Sequence, residues 1–283
     1  MNRAKKILRK TICLIAWGLI ICGILFLFHI YSGYKDAQRE YVDLQQKYTA
    51  VQKNIDDEEK PEKIQTKNKE ANVVPTPELP ENAPQMRTID FAGLSDINED
   101  VIGWIDLPAL ELSYPVMQGS DNDYYLHRNI NKEESFAGSI FMDSVNSPSF
   151  QNFNTIIYGH NMRDGSMFAQ LKEYQNQKTY TVCPYFWIYT PDAAFLYWIF
   201  SVRTVRVTDD VFTVMFPDQN TYADWLKTMQ EASELTEKPQ LQTGDRVVTL
   251  STCTGNDTSR QIVQGVRVWM GENNAEYREN IRK

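Results

Sequence analysis

The run from Thr11 to Tyr31 contains no Asp, Glu, Lys or Arg, and it constrains this chain more than any other stretch. About 20 apolar residues are enough to cross a bilayer as one helix. A short basic segment, residues 1–10, precedes the run and favours a cytoplasmic N-terminus. The run ends in large side chains, whereas a cleaved signal peptide ends in small ones. The sequence therefore predicts an uncleaved signal anchor over residues 11–31, a single membrane span with the rest of the chain on the extracellular side.

A helical pattern follows the anchor over residues 33–56. Its apolar side chains recur at alternating spacings of three and four, namely Tyr34, Ala37, Tyr41, Leu44, Tyr48, Val51 and Ile55. Heptad spacing of this kind is typical of a coiled coil, but the flanking positions carry little charge that would select a partner helix. Two interpretations stay open. The sequence favours a monomeric helical stalk next to the membrane over a stalk that associates weakly with a second copy.

Residues 57–87 are polar and rich in proline, at positions Pro61, Pro75, Pro77, Pro80 and Pro84. Such a segment cannot bury enough apolar surface to fold alone, so the sequence predicts a flexible linker. The folded domain is expected over residues 88–271, where short strand patterns alternate with turn residues. Residues 272–283 form a polar tail. The predicted fold class is mostly β with a few peripheral helices.

Composition narrows the classes of function. A chain of 283 residues with 42% hydrophobic content can hold one sizeable domain plus appendages. Its net charge of −8 argues against nucleic acid as a partner. Two of the four cysteines, Cys13 and Cys22, lie in the apolar run, so no disulfide framework is predicted. No cluster of His, Cys, Asp and Glu has the spacing of metal ligands, and we expect neither a metal nor another cofactor.

Two strand patterns near the C-terminus indicate the chemistry. One runs from Asp245 to Cys253, a small polar turn follows, and the second runs from Gln261 to Trp269. An antiparallel hairpin of these strands would bring Cys253 and Arg260 to the same end of a sheet. A thiolate is the nucleophilic form of cysteine, and a nearby guanidinium both lowers the thiol pKa and can hold an oxyanion. This pair suits acyl transfer.

A nucleophilic cysteine also needs a partner for proton transfer, and the chain has three histidines. His29 lies in the apolar run. His127 follows an aromatic pair and is interpreted as a surface or packing residue. His160 stands directly after a strand pattern, where a rigid sheet can present a catalytic group on a loop. The sequence favours His160 as the general acid and base.

Three further residues are weaker candidates for a role in the site. Arg267 shares a strand pattern with Arg260 but lies far along it from Cys253. Cys183 is surrounded by aromatic residues, which is typical of a buried and inert thiol. Asp257, in the polar turn, is a candidate for orienting the imidazole, although an exposed turn aspartate is the simpler interpretation.

Several blocks of sequence, taken in order, resemble a known family. The blocks are Val101–Ile105, Tyr114–Gly119, Asp121–Leu126, Ala137–Asp143, Ile156–Met162 and Thr249–Cys253 with the following Arg260. Together they resemble the class B sortases over roughly residues 90–269. The resemblance implies a closed β-barrel that carries Cys253, His160 and Arg260 at one end. It also implies a groove lined by Asn122, Leu126 and Ser251 that contacts the substrate.

Members of that family are membrane-anchored cysteine transpeptidases. The resemblance implies that the chain cleaves the C-terminal sorting signal of surface proteins after threonine. It further implies a thioester intermediate that is resolved by a cell-wall amine of a peptidoglycan precursor or stem peptide. Two alternatives stay open, an extracytoplasmic cysteine protease with the same residues and a non-catalytic scaffold module on a stalk. The sorting motif, the acceptor amine and the choice between wall anchoring and pilin polymerisation are not specified by the sequence.

Overall fold

The computed structural model describes residues 2–51, 79–255 and 258–272 of the chain. Its helices are α1 (Asn2–Tyr48), α2 (Phe91–Ile97), α3 (Gln177–Val182) and α4 (Gln219–Glu231). Its strands are β1 (Thr49–Val51), β2 (Arg87–Ile89), β3 (Val101–Leu107), β4 (Leu112–Met117), β5 (Ile140–Met142), β6 (Asn154–Tyr158), β7 (Tyr185–Tyr189), β8 (Ala193–Arg206), β9 (Val247–Cys253) and β10 (Ser259–Glu272). Short 3-10 turns cover Pro108–Leu110, Ala169–Gln175 and Asp210–Phe212. Asp257 lies outside the described residues, so its suggested contact with the imidazole stays a prediction.

Within these described ranges, eight strands close into a barrel in the order β10-β8-β7-β3-β4-β5-β6-β9. Neighbouring strands are antiparallel, except that β4 runs parallel to β5 and β6 runs parallel to β9. Closure pairs each of these eight strands on both sides, so the barrel has no open sheet edge. The prediction of a mostly β fold built on a closed barrel is confirmed.

Two apolar layers stabilise the barrel, one inside it and one on its outer face. The strand β7 has the sequence Tyr-Phe-Trp-Ile-Tyr and is buried throughout, as expected for a strand covered on both faces. On the outside, Tyr222 and Trp225 of α4 belong to a buried cluster with Val247 and Ile262. This outer layer covers the start of β9, whereas Cys253, at the other end of the strand, keeps part of its surface exposed.

The helix α1 is continuous from the predicted anchor into the predicted stalk. Its apolar side chains from Ile12 to Phe28 are exposed. Among the helices that the structure describes, it is the one whose length and apolar composition suffice to cross a membrane. An apolar surface of this extent is stable in hydrocarbon and unfavourable in water.

The second half of α1 packs against the barrel. Tyr41, Leu44 and Tyr48 are buried in the same core as the barrel interior. The helix ends at Tyr48 and not at Asp56 as predicted, because the chain turns there into β1, which pairs with β2. The heptad stripe thus contacts the chain's own domain. Heptad spacing specifies an apolar face but not its partner, which is why the sequence suggested a stalk.

The described domain also begins before the predicted boundary at residue 88. Trp187 Nε1 donates to the carbonyl oxygen of Pro84 at 3.0 Å, and Arg87 Nε lies 3.1 Å from Asp106 Oδ1. Polar, proline-rich composition predicts a linker because it offers little apolar surface, but these residues bind the barrel through polar groups. Residues 57–78 of the predicted linker and residues 273–283 of the tail lie outside the described residues.

Candidate active site

Cys253 and Arg260 lie directly opposite each other on β9 and β10. Residues paired in this way on antiparallel strands point to the same side of the sheet. Both side chains are partly exposed. The register therefore brings the predicted nucleophile and the predicted oxyanion donor to one end of the barrel, on one face.

His160 reaches the same end of the barrel along the neighbouring strand. In the parallel pair of β6 and β9, Tyr158 lies opposite Ser251. Two residues further along both chains, the same register leads to His160 and Cys253. The segment after the histidine is tied to the cysteine, because Asn161 Nδ2 donates to the carbonyl oxygen of Cys253 at 2.7 Å. The structure thus brings together all three residues for which the sequence predicted catalytic roles.

One hydrogen bond defines the protonation of the imidazole. His160 Nε2 lies 2.7 Å from the carbonyl oxygen of Leu126. A carbonyl oxygen only accepts, so Nε2 carries a hydrogen and donates it. In the neutral ring Nδ1 is then the nitrogen without a hydrogen, and it is the one that can take up and release a proton.

Burial disfavours the charged form of this ring. Removal from water lowers the pKa of His160 below its ordinary value, the hydrogen bond to Leu126 opposes that shift, and the nearby His127 adds to it. His127 is exposed, and the centroids of the two rings are 6.3 Å apart. The placement agrees with the interpretation of His127 as a surface residue and puts it within electrostatic reach of His160.

The positive charge of Arg260 acts on the same site. Tyr158 donates from its hydroxyl to Asp143 Oδ2 at 2.9 Å. Burial and the neighbouring carboxylate of Asp143 raise the pKa of Tyr158, and the guanidinium of Arg260 opposes the shift. Arg260 Nη1 also donates to the backbone carbonyl of Ser259 at 2.9 Å. The guanidinium of Arg260 is therefore close enough to Tyr158 to influence the ionisation of its hydroxyl.

The competing arginine and the competing cysteine lie elsewhere. The guanidinium of Arg267 lies over the ring of Phe195, with its carbon 5.2 Å from the ring centroid. Cys183 is buried, and burial raises the pKa of its thiol, which disfavours the reactive thiolate. Across the described part of the chain, no group of three or more His, Cys, Asp and Glu side chains could hold a metal ion.

The three residues predicted to contact substrate differ in their surroundings. Asn122 Nδ2 donates to Asp143 Oδ2 at 3.0 Å, so it belongs to the same polar group as Tyr158. Leu126 touches the site through its backbone carbonyl. Ser251 is only 1% exposed, and its Oγ has no hydrogen-bond partner among the residues that the structure describes.

Two residues of the site were missed in the sequence. Tyr158 stands two positions before His160 in a strand pattern, so the period of two already indicated a shared face. Asn161 gave no such signal, because its partner Cys253 lies far away in sequence and becomes a neighbour only through the parallel pairing of β6 with β9.

The sequence model of the Sortase domain family matches residues 105–268, which run from β3 to β10 and include all three predicted catalytic residues. This chain belongs to the sortase family. The sortase is 37% identical over 183 residues to Sortase B of Listeria monocytogenes, an alignment that covers 65% of this chain and 73% of that relative.

Solved structures agree with the sequence relatives. Sortase B from B. anthracis in complex with AAEK1 is similar at a TM-score of 0.66 and 28% identity, over 84% of this chain and 99% of that one. A Staphylococcus aureus sortase B-substrate complex is similar at a TM-score of 0.60 and 31% identity, over 63% and 84% of the two chains. These similarities confirm the prediction of class B. The sortase is a cysteine transpeptidase of the cell surface that acts on surface proteins bearing sorting signals.

Proposed function

We propose that this sortase cleaves its sorting signal after a threonine and passes the acyl group to a cell-wall amine of a peptidoglycan precursor or stem peptide. Cys253 is the nucleophile, His160 the general acid and base, and Arg260 the oxyanion donor. The observation that carries the proposal is the cross-strand pairing of Cys253 with Arg260 at the point where the strand before His160 also ends.

The proposed reaction has two halves. The thiolate of Cys253 attacks the threonine carbonyl, and Arg260 stabilises the negative charge that develops on its oxygen. As the carbon–nitrogen bond breaks, the protonated Nδ1 of His160 gives its proton to the leaving amine. In the second half the acceptor amine attacks the thioester, His160 takes up the amine proton, and the carbon–sulfur bond breaks to restore the thiolate.

The proposed substrate contacts use groups that lie around these three residues. Ser251 shares a strand face with Cys253, two positions along β9, and its unpartnered hydroxyl would donate a hydrogen bond to a substrate carbonyl. Asn122 would act through the polar group that it forms with Asp143. Leu126 would contribute its side chain, because its carbonyl is already bound to His160.

The proposed topology follows from α1. Residues 11–31 would span the membrane, residues 1–10 would remain in the cytoplasm, and the barrel would lie outside the cell. The basic residues before the apolar run and the exposed apolar surface of the helix support this orientation.

The test is product analysis by mass spectrometry with the full chain in detergent micelles. Peptides with threonine at the cleavage position would be offered alone and together with a stem-peptide amine. We expect slow hydrolysis without the amine and faster consumption with it, with the new amide as the main product. Rapid hydrolysis of diverse peptides without amine incorporation would favour the protease alternative. No turnover of any peptide with threonine at the cleavage position would overturn the proposed cleavage after threonine.

A further inference from the structure

One side chain of the membrane-proximal helix contacts both segments that support His160. Tyr41 of α1 is 5% exposed, and its hydroxyl donates to the carbonyl oxygen of Gly138 at 2.6 Å. The edge of its ring packs on Tyr114, with centroids 5.2 Å apart and planes at 84°. Edge-to-face contact and a buried hydrogen bond both fix the position of a side chain.

The first contact leads directly to the imidazole. Gly138 has a φ of +57°, and a Cβ at that position would clash with the carbonyl oxygen of Leu126. The backbone of Gly138 is thus packed against the oxygen that accepts the Nε2 hydrogen of His160. Tyr41 is hydrogen-bonded to Gly138, and Gly138 packs against Leu126. Leu126 in turn is hydrogen-bonded to the imidazole of His160.

The second contact leads to the backbone after the imidazole. The hydroxyl oxygen of Tyr114 accepts a hydrogen bond from the backbone N–H of Met167 at 3.1 Å. Met167 forms an isolated antiparallel bridge with Asn161, and the N–H of the following residue, Phe168, donates to the carbonyl oxygen of His160 at 3.0 Å. The loop that begins at the histidine is therefore closed onto Tyr114, against which Tyr41 packs.

Glu40, the residue before Tyr41, connects the same turn of α1 to the loop that contains Leu126 through two hydrogen bonds. Glu40 accepts hydrogen bonds from Asn129 Nδ2 at 3.1 Å and from Asn131 Nδ2 at 2.9 Å. Burial raises the pKa of Glu40, the two amides oppose the shift, and the nearby carboxylate of Glu133 adds to it. A partly buried carboxylate with two donors is a specific attachment and not a chance surface contact.

We propose that the turn of α1 formed by Glu40 and Tyr41 positions His160, so that the membrane-proximal helix is part of the catalytic apparatus in addition to being a tether. The proposal rests on the proposed role of His160 as acid and base. Glu40 and Tyr41 are positioning residues, since they act through Gly138, Leu126 and the loop after the histidine. Small displacements of an acid or base cost rate even when binding is retained.

The first test compares hydroxyl deletions on the same helix. Tyr41→Phe removes the hydrogen bond to Gly138 and keeps the ring against Tyr114. Tyr48→Phe is the matched control, because Tyr48 contacts α2 near Gly93, away from both supporting segments. In the full chain in micelles we expect Tyr41→Phe to lower kcat on the order of five- to tenfold with KM little changed, and Tyr48→Phe to keep both.

Glu40 provides an independent variant for the case in which Tyr41→Phe folds poorly. Glu40→Ala removes both hydrogen bonds to the loop at a part-exposed position, whereas Glu40→Gln keeps a carbonyl oxygen that can accept one of them. We expect a loss of kcat in Glu40→Ala and recovery of most of it in Glu40→Gln, with melting temperatures recorded for each variant. Equal kcat in wild type, Tyr41→Phe and Glu40→Ala would overturn the proposal.

A spectroscopic readout separates this proposal from the transpeptidase chemistry. The imidazole Cε1–H resonance of His160, assigned with His160→Gln, reports the ring environment without any substrate. In Tyr41→Phe we expect that resonance to shift and its titration midpoint to rise toward the ordinary value, because a looser ring is better hydrated. An unshifted resonance would overturn the positioning role. A wild-type enzyme that shows this behaviour and yet transfers no acyl group would instead overturn the proposed function.

Discussion

The side chain of Asn161 holds the backbone of Cys253, with 2.7 Å between Asn161 Nδ2 and the cysteine carbonyl oxygen. This hydrogen bond joins the loop that begins at His160 to the end of β9, and so couples the proposed acid and base to the proposed nucleophile. The amide of Asn161 thereby extends the contact between β6 and β9 beyond the last paired residues of the two strands.

We predict that Asn161→Ala lowers kcat/KM by about fivefold, since one neutral side chain to backbone hydrogen bond is worth ~1 kcal/mol. Gln170→Ala is the control, because Gln170 Nε2 donates to the carbonyl of Gly165 in the same loop and does not reach the cysteine. Steady-state kinetics with a sorting peptide measure both. An equal loss in the two variants would show that general loosening of the loop, and not the link to Cys253, matters.

Cys253→Ala should abolish peptide cleavage, whereas Cys183→Ala should retain it. Only Cys253 is paired with an arginine at an accessible strand end, and the buried Cys183 resists ionisation. Mass spectrometry of the acyl-enzyme gives a direct check, because the thioester should appear on Cys253 alone. Turnover by Cys253→Ala would remove the basis of the mechanism.

Arg260→Ala should lower kcat by a factor on the order of 10² or more, as expected for loss of one oxyanion donor. Arg267→Ala tests the opposite assignment. Its guanidinium packs on Phe195 far along the strand from the cysteine, so we expect a lower melting temperature and a nearly unchanged kcat. A severe kinetic loss in Arg267→Ala together with a mild one in Arg260→Ala would reverse the two roles.

The titration of His160 should have its midpoint below the ordinary value of about 6.5, because burial disfavours the charged ring. The unfolded chain then binds this proton more tightly than the folded one. Acidification through pH ~6.5 should therefore lower the free energy of unfolding, and the loss should level off below the folded pKa. Histidine NMR and denaturant melts at several pH values measure the two effects.

His127 offers a variant for the same titration. Its charge is one of the causes that lower the pKa of His160, so His127→Gln should raise the midpoint. The rise should be smaller than the full shift from the ordinary value, because burial is the larger cause. A midpoint that falls in His127→Gln would contradict the electrostatic coupling between the rings.

Local patterns predicted the parts of this fold that depend on neighbours in sequence. The strand ending at Cys253, the turn and the strand from Arg260 form a hairpin, and a hairpin is determined by a short stretch of chain. Contacts between residues that are far apart in the sequence could not be predicted from local patterns. Asn161 meets Cys253 only after β6 and β9 pair in parallel, and no local pattern specifies that neighbour.

The heptad stripe on α1 illustrates the same limit. Tyr41 and Leu44 were correctly expected on one apolar face, but the identity of the covering surface depends on the folded barrel. Their burial against that barrel replaces the picture of a free stalk. The predicted end of the helix was wrong for a related reason, since β1 forms through its pairing with β2 and has little strand signal of its own.

The unbroken helix α1 also sets a height. With the membrane boundary at Tyr31, as we propose, the turn at Tyr41 stands ~15 Å along the helix axis at 1.5 Å per residue. Because Tyr41, Leu44 and Tyr48 pack α1 against the barrel, the proposed topology would keep the barrel close to the membrane surface. If the helix axis is normal to the membrane, roughly five extended residues of a membrane-embedded substrate would span the same height as this part of α1. Substrate selection would then depend on the distance between the cleavage site of the substrate and the lipid surface.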